Sequence, residues 1–362
     1  MQNTLSSQIH KRLSSLLNRT ALPQYDDFIP LCLETTSILE KEISDYRPST
    51  SAGSLGGLLD FSSTQMKNLP AVIVPDIHGR LEFLIHALDF CPPFSDGRTV
   101  LDLLCEEKIV LLCLGDLPHA EGREQERWTK SYRDFCDFLE KDDIDVFLKS
   151  DSMKSEMIEN LSVWEAVFVL KTAFPNFFHV LKGNHENVQN ATFFDGVNLD
   201  FGNRAFKKFC EEGEMCAQFI KNQYDDLFLY YLSNFERSLP ICAVFKTLVA
   251  SHAEPLHAFS REELVDALSS DDAIYSLTWT ANGEAEENSI ERTIAKLYKR
   301  GILGRNWRNV RWIGGHRPVQ KNYALRQNGF FVQIHNPQKE QIAVVLSDRV
   351  FNPETDIFLL KK

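Results

Sequence analysis

From residue 70 onward, short apolar runs repeatedly stop at a cluster of Asp, His, Asn and Gly. AVIVP (71–75) leads into Asp76-Ile77-His78-Gly79-Arg80, and KIVLLCL (108–114) into Gly115-Asp116. FFHVL (177–181) leads into Lys182-Gly183-Asn184-His185-Glu186, TLVA (247–250) into Ser251-His252, and VRWI (310–313) into Gly314-Gly315-His316. Short runs rich in β-branched residues read as buried strands, and the segments between them carry helical spacing. Strands alternating with helices predict an α/β architecture, whose ligand sites form beyond the carboxyl ends of the strands. The polar clusters are therefore expected to converge. They offer imidazole nitrogen and carboxylate or amide oxygen but no thiolate, a donor set suited to divalent transition metals in a catalytic centre. Gly79 allows the turn that aims Asp76 and His78 at one ion.

Upstream, residues 4–18 and 27–46 place apolar side chains at helical spacing, among them Ile9, Leu13, Leu16, Ile29, Ile38 and Ile43. RPSTSAGSLGG (47–57) breaks the pattern and reads as a linker. Residues 1–61 are thus expected to form a helical N-terminal extension, and residues 62–362 the catalytic domain.

The composition, 43% hydrophobic and 25% charged over 362 residues, excludes a disordered or collagen-like chain. A net charge of −12 disfavours binding to a nucleic acid duplex or an anionic membrane. The start of the chain lacks the apolar core of a secretory signal, and no run is long enough to span a bilayer. The eight cysteines are scattered without a CxxC pair and read as small hydrophobes, so the expected location is cytoplasmic.

Taken in order, the blocks resemble the calcineurin-like metallophosphoesterase superfamily, whose pattern is DxH, GD, GNH(E/D), H and GH, over roughly residues 70–345. VWEAVFVLKTAFPNFFHVLKGNHENV (163–188), YLSNFERSLPICAVFKTLVASHAEP (231–255) and FSREEL (259–264) look most like its phosphoprotein-phosphatase branch. The resemblance implies a four-layer α/β sandwich of two mixed β-sheets flanked by helices. It implies two divalent metal ions, Mn²⁺ foremost with Fe or Zn as alternatives. Asp76, His78 and Asp116 would hold one ion, Asn184, His252 and His316 the other, with Asp116 bridging and His185 as general acid. Water would be the nucleophile, and the substrate a phosphorylated protein or a small phosphomonoester. A dinucleoside polyphosphate hydrolase is the second reading, and a weakly active metal-binding scaffold the third.

The sequence departs from the branch at its GDxxDRG block. Here Gly115-Asp116-Leu117-Pro118-His119-Ala120-Glu121-Gly122-Arg123 puts His119 in place of the second Asp and Ala120 in place of the Arg. Glu121 and Arg123 are candidate replacements, and Arg is the side chain best shaped for bidentate phosphate contact. Arg80, ranked first, Arg292 and Arg317 are the other candidates. Gly315-His316-Arg317-Pro318 lacks a second histidine, which agrees with a first metal held by three protein ligands plus water. His119, Glu121, Glu186 and His335 are expected in the pocket wall or behind the ligands. The 67 residues between Asp116 and Asn184 exceed the family spacing. The excess at 124–160 reads as a helical insertion that caps the site or packs as an extra helix pair.

Overall fold

The computed structural model describes residues 4–188, 212–301, 303 and 307–360. Each of the five apolar runs is a strand. They are β2 (Ala71–Val74), β3 (Val110–Cys113), β4 (Phe178–Val180), β6 (Leu248–Ser251) and β7 (Arg311–Gly314). Six further strands complete the sheets: β1 (Leu58–Asp60), β5 (Cys242–Val244), β8 (Ala324–Arg326), β9 (Phe331–Gln333), β10 (Gln341–Val345) and β11 (Ile357–Leu359). One sheet runs β11-β10-β2-β3-β4 and the other β1-β5-β6-β7-β9-β8, both mixed.

Alternation along the strands builds the layers, because successive side chains point to opposite faces. Ala71, Ile73, Val110 and Leu112 meet Ala243, Leu248, Ala250, Ile313 and Val332 in a core between the sheets. Val72, Val74, Leu111 and Cys113 point outward, to α1 (Leu5–Leu17), α2 (Tyr25–Glu40), α3 (Leu81–Asp89), α4 (Val100–Cys105), α5 (Gln125–Lys141), α6 (Ile144–Leu148), α7 (Asp151–Ala173), α8 (Glu212–Gln223) and α9 (Asp226–Ser238). On the opposite outer face Val244, Val249 and Trp312 pack on α10 (Arg261–Val265), α11 (Asp271–Thr278) and α12 (Ser289–Lys299). The result is the four-layer sandwich of two mixed sheets flanked by helices. Within it β2, β3 and β4 are mutually parallel, as are β6, β7 and β9, which gathers their carboxyl ends.

The N-terminal segment is helical as far as Glu40 and then joins the sandwich. Helix α2 stops six residues before the expected end at 46, where the chain turns and buries Glu42. Glu42 pairs with Lys171 of α7 (2.5 Å) and with Arg47 (2.6 Å). Arg47 also donates to the carbonyls of Gly56 (2.9 Å) and Ser238 (2.6 Å), so the expected linker is anchored. Residues 58–60, assigned from sequence to the extension, are strand β1, paired in parallel with β5. Arg12 and Arg19 of the N-terminal segment both reach buried Glu165 on α7.

The 124–160 stretch forms α5, α6 and the start of α7, with Trp128 and Phe135 buried. Arg127 of α5 binds Glu156 and Glu159 of α7, and Trp128 Nε1 donates to Ala120 O at 2.6 Å. The pair thereby buttresses the loop after β3. The described cysteines are free thiols; Cys210 lies outside the described residues. Among the described residues no helix is long and apolar enough to cross a membrane.

Candidate metal centre

The loops leaving β2, β3 and β7 turn sharply at the residues that matter. His78 (φ 49°), Asp116 (φ 51°), His119 (φ 62°) and His316 (φ 63°) all hold left-handed backbone, which costs a non-glycine residue about 1–3 kcal/mol and persists only where the surroundings enforce it. The surroundings here are specific. Ile77 and His78 donate their N–H groups to Asp116 O at 3.0 and 2.9 Å, tying the first two loops together. Glu186, next to His185, accepts from the N–H groups of Asp116 (3.0 Å), Leu117 (2.8 Å) and Gly183 (2.6 Å), tying in the third.

These loops bring donors, all buried except the partly buried His316, into three overlapping groups: Asp76, His78 and His335; His78, Asp116 and His185; Asp116, His252 and His316. Asp116 Oδ2 lies 3.1 Å from His252 Nε2, 3.8 Å from His78 Nε2 and 3.9 Å from His185 Nε2. Asn184 Oδ1 stands 3.0 Å from His252 Nε2 and 2.8 Å from His316 Nδ1. The outer nitrogen of each of three imidazoles donates to a main-chain carbonyl: His78 Nδ1 to His119 O (2.9 Å), His252 Nδ1 to Leu114 O (3.1 Å), His316 Nε2 to Trp279 O (3.2 Å). Such bonds fix tautomer and ring orientation, so each inner nitrogen presents its lone pair to a cation. Asp76 Oδ1 is buried without a hydrogen-bond partner among the described residues. The donor set therefore fits divalent ions.

The electrostatics agree with a site built for positive charge. Burial alone would lower the His252 pKa, but the carboxylates of Asp116 and Asp76 raise it to about 9. Burial would raise Asp116, yet His252 and His185 hold it well below the ordinary carboxylate range. Burial dominates at His185, pushed down to about 4, and at His316, also lowered.

Close approach explains one glycine. A Cβ on Gly315 would stand 1.8 Å from Asp76 Oδ1, so Asp76 fits only against a bare backbone. Gly315→Ala is expected to push Asp76 out of the cluster and to lower metal content, measured by elemental analysis, while the sandwich still melts cooperatively.

The arginines separate. Arg80, the first-ranked candidate for the phosphate, donates to the carbonyls of Asp76 (2.9 Å), Ile77 (2.9 Å) and Pro337 (3.3 Å), bracing the loop that carries Asp76 and His78. Arg123 is engaged by Glu159 (2.6 Å), Glu124 (2.9 Å) and His78 O (3.2 Å). Arg292 is exposed and paired with Glu286 at 2.5 Å. Arg317 is half-buried beside His316, and its Nε is buried with no hydrogen-bond partner among the described residues.

His119 takes Asn160 Oδ1 on its own N–H (2.7 Å), with its ring 5.5 Å from that of His185 and 5.9 Å from Trp128. Glu121 accepts from His335 Nε2 at 2.8 Å. His335, read from sequence as pocket wall, stands inside the donor cluster. Its signal was present: FFVQI (330–334) ends in His335-Asn336-Pro337, an apolar run stopped by a polar cluster like the other five.

The chain aligns over 99% of its length with 96% of a protein serine/threonine phosphatase from Saccharomyces cerevisiae described as similar to human phosphatase PP5, with 14% identity and a TM-score of 0.55. Two structures of cold-active protein tyrosine phosphatase, one from a psychrophilic Shewanella species, align over 81% and 83% of this chain and 79% and 85% of theirs. Both share 11% identity, with TM-scores of 0.40 and 0.38. The first likeness shows the fold, that of the metallophosphatases. No family model matches the chain, and no curated protein does.

Proposed function

We propose that the protein is a phosphoesterase that uses two divalent metal ions to hydrolyse phosphomonoesters, on a protein or a small molecule. The carrying observation is the set of three imidazoles whose outer nitrogens are tied to main-chain carbonyls and whose inner nitrogens ring Asp116 Oδ2 and Asn184 Oδ1. Asp76, His78 and Asp116 would hold one ion, and Asn184, His252 and His316 the other, with Asp116 shared. When bound, such a pair supplies an acidified water as nucleophile and neutralises phosphoryl oxygens in an in-line displacement.

The chain's own groups do the rest. Asp116 fixes the spacing of the two donor sets. His185, 3.9 Å from Asp116 Oδ2, is neutral in the free protein because of its burial; it would take up a proton only with a phosphate dianion bound beside it, and pass that proton to the departing oxygen. Arg317, next in the chain to His316 and half-buried, is the guanidinium we assign to the phosphate, the role left open by Ala120. Elemental analysis alongside manganese-stimulated hydrolysis of p-nitrophenyl phosphate and diadenosine tetraphosphate tests the reading. About two metals per chain with preference for the monoester supports it. Preference for the dinucleotide moves the assignment to dinucleoside polyphosphates, and metal without turnover on either leaves a scaffold.

His185→Asn should lower kcat by about 10²–10⁴-fold, the usual worth of a general acid, with metal content unchanged. Near-normal turnover would remove His185 from that role.

A further inference from the structure

We propose that His335 is a further protein ligand of the first metal, held for that role by Glu121; the inference rests on the function proposed above. His335 comes from the end of β9 and is fully buried. Its Nε2 donates to Glu121 Oε1 at 2.8 Å. A neutral imidazole that donates through one nitrogen carries its lone pair on the other, here Nδ1. Nδ1 lies 3.6 Å from Asp76 Oδ2 and has no hydrogen-bond partner among the described residues.

That distance is too long for a hydrogen bond and suited to a shared cation. Two donors each about 2.1 Å from one ion at a tetrahedral angle stand about 3.4 Å apart. Asp76 Oδ2 and His78 Nε2, at 3.9 Å, have the same kind of spacing. The other Asp76 oxygen, Oδ1, is also buried without a hydrogen-bond partner, so two enclosed polar atoms of one cluster lack a bond that a cation would supply. Leaving either unmatched costs about 1–3 kcal/mol.

Glu121 is the positioning residue. A carboxylate behind a ligand histidine fixes its tautomer and raises its basicity. Glu121 Oε1 also stands 3.3 Å from His78 Nε2, so it spans both imidazoles of this donor group. The first metal would then have four protein donors, Asp76, His78, His335 and Asp116, in place of three plus water.

Calorimetric titration of Mn²⁺ into the metal-stripped chain tests this, with Co²⁺ absorption as a second readout. The wild-type chain should show two sites. His335→Ala should weaken one of them by about 100-fold or more and leave the other unchanged, and Glu121→Gln should weaken the same one by about 10–100-fold. The visible Co²⁺ band of that site should also shift in Glu121→Gln, which loss of packing alone would not produce. Two sites of wild-type affinity in His335→Ala, or equal weakening of both, overturns the proposal and leaves the phosphoesterase reading intact. A wild-type chain with no metal site at all overturns the phosphoesterase reading, and this one with it. If the stripped His335→Ala protein shows no cooperative melt, Glu121→Gln decides alone: an unchanged affinity and Co²⁺ band overturn the proposal.

Discussion

Asp116→Asn should yield a folded chain that retains neither metal and whose manganese-stimulated phosphatase turnover falls to background. Asp116 is the one carboxylate shared by two of the donor groups, each of which adds two histidines to it, with Oδ2 within 3.1–3.9 Å of His252, His78 and His185. An amide removes the negative charge from between the two proposed ions and turns an N–H donor toward imidazoles or cations. The backbone argues against simple misfolding, because Asn tolerates the left-handed conformation of residue 116 about as well as Asp does. Elemental analysis and thermal melting of the same preparation separate loss of metal from loss of fold. Two metals and near-normal hydrolysis in this variant would show that Asp116 is not the shared donor.

Glu42→Gln should cost about 3–5 kcal/mol of folding stability without touching the metal donors, since removing one partner strands buried charge. Glu42 is enclosed with Lys171, Arg47 and His179; its carboxylate is the counter-ion of the two cations and lies 3.3 Å from His179 Nδ1. Burial by itself would raise its pKa, but Lys171, His179 and Arg47 together hold it well below the ordinary carboxylate range. A depressed carboxylate contributes stability that is fully present above its unfolded pKa and is lost as pH falls through the folded one. The wild-type chain should therefore lose stability on acidification through a step that Glu42→Gln lacks. Urea unfolding followed by tryptophan fluorescence at neutral and acid pH measures both. A loss below about 1 kcal/mol, the scale of an exposed pair, with an unchanged acid limb would show that the network is not a keystone.

What the sequence disclosed follows from the range over which each signal acts. The five strands were legible because an apolar run and the polar residues that stop it are contiguous, and both sheets are buried on both faces. The gathering of Asp76, His78, Asp116, Asn184, His252 and His316 followed from the same rule, since carboxyl ends of parallel strands share an edge. The edge strands β1, β8 and β11 are three residues long, as β4 is, but lack the metal-type polar cluster that marks the end of β4. The Glu42 network joins residues 129 apart, and no local pattern marks Glu42 as different from an exposed helix-end glutamate. The direction of Arg80 was hidden for a related reason. Adjacency to a metal motif places the Cα, but the guanidinium follows the nearest carbonyls, which belong to its own loop and to Pro337.

His78, Asp116 and His316 hold backbone conformations that other residues would abandon, each at a cost of about 1–3 kcal/mol. On the proposed function, the cation that uses these side chains also offsets that cost, by about 2.7 kcal/mol at a concentration a hundred times its dissociation constant. Metal supply would then govern how much of the protein exists as well as how fast it works. A metal-starved chain would open more often, be cut more often by proteases that read open states, and fall in abundance before any regulator acted on its gene.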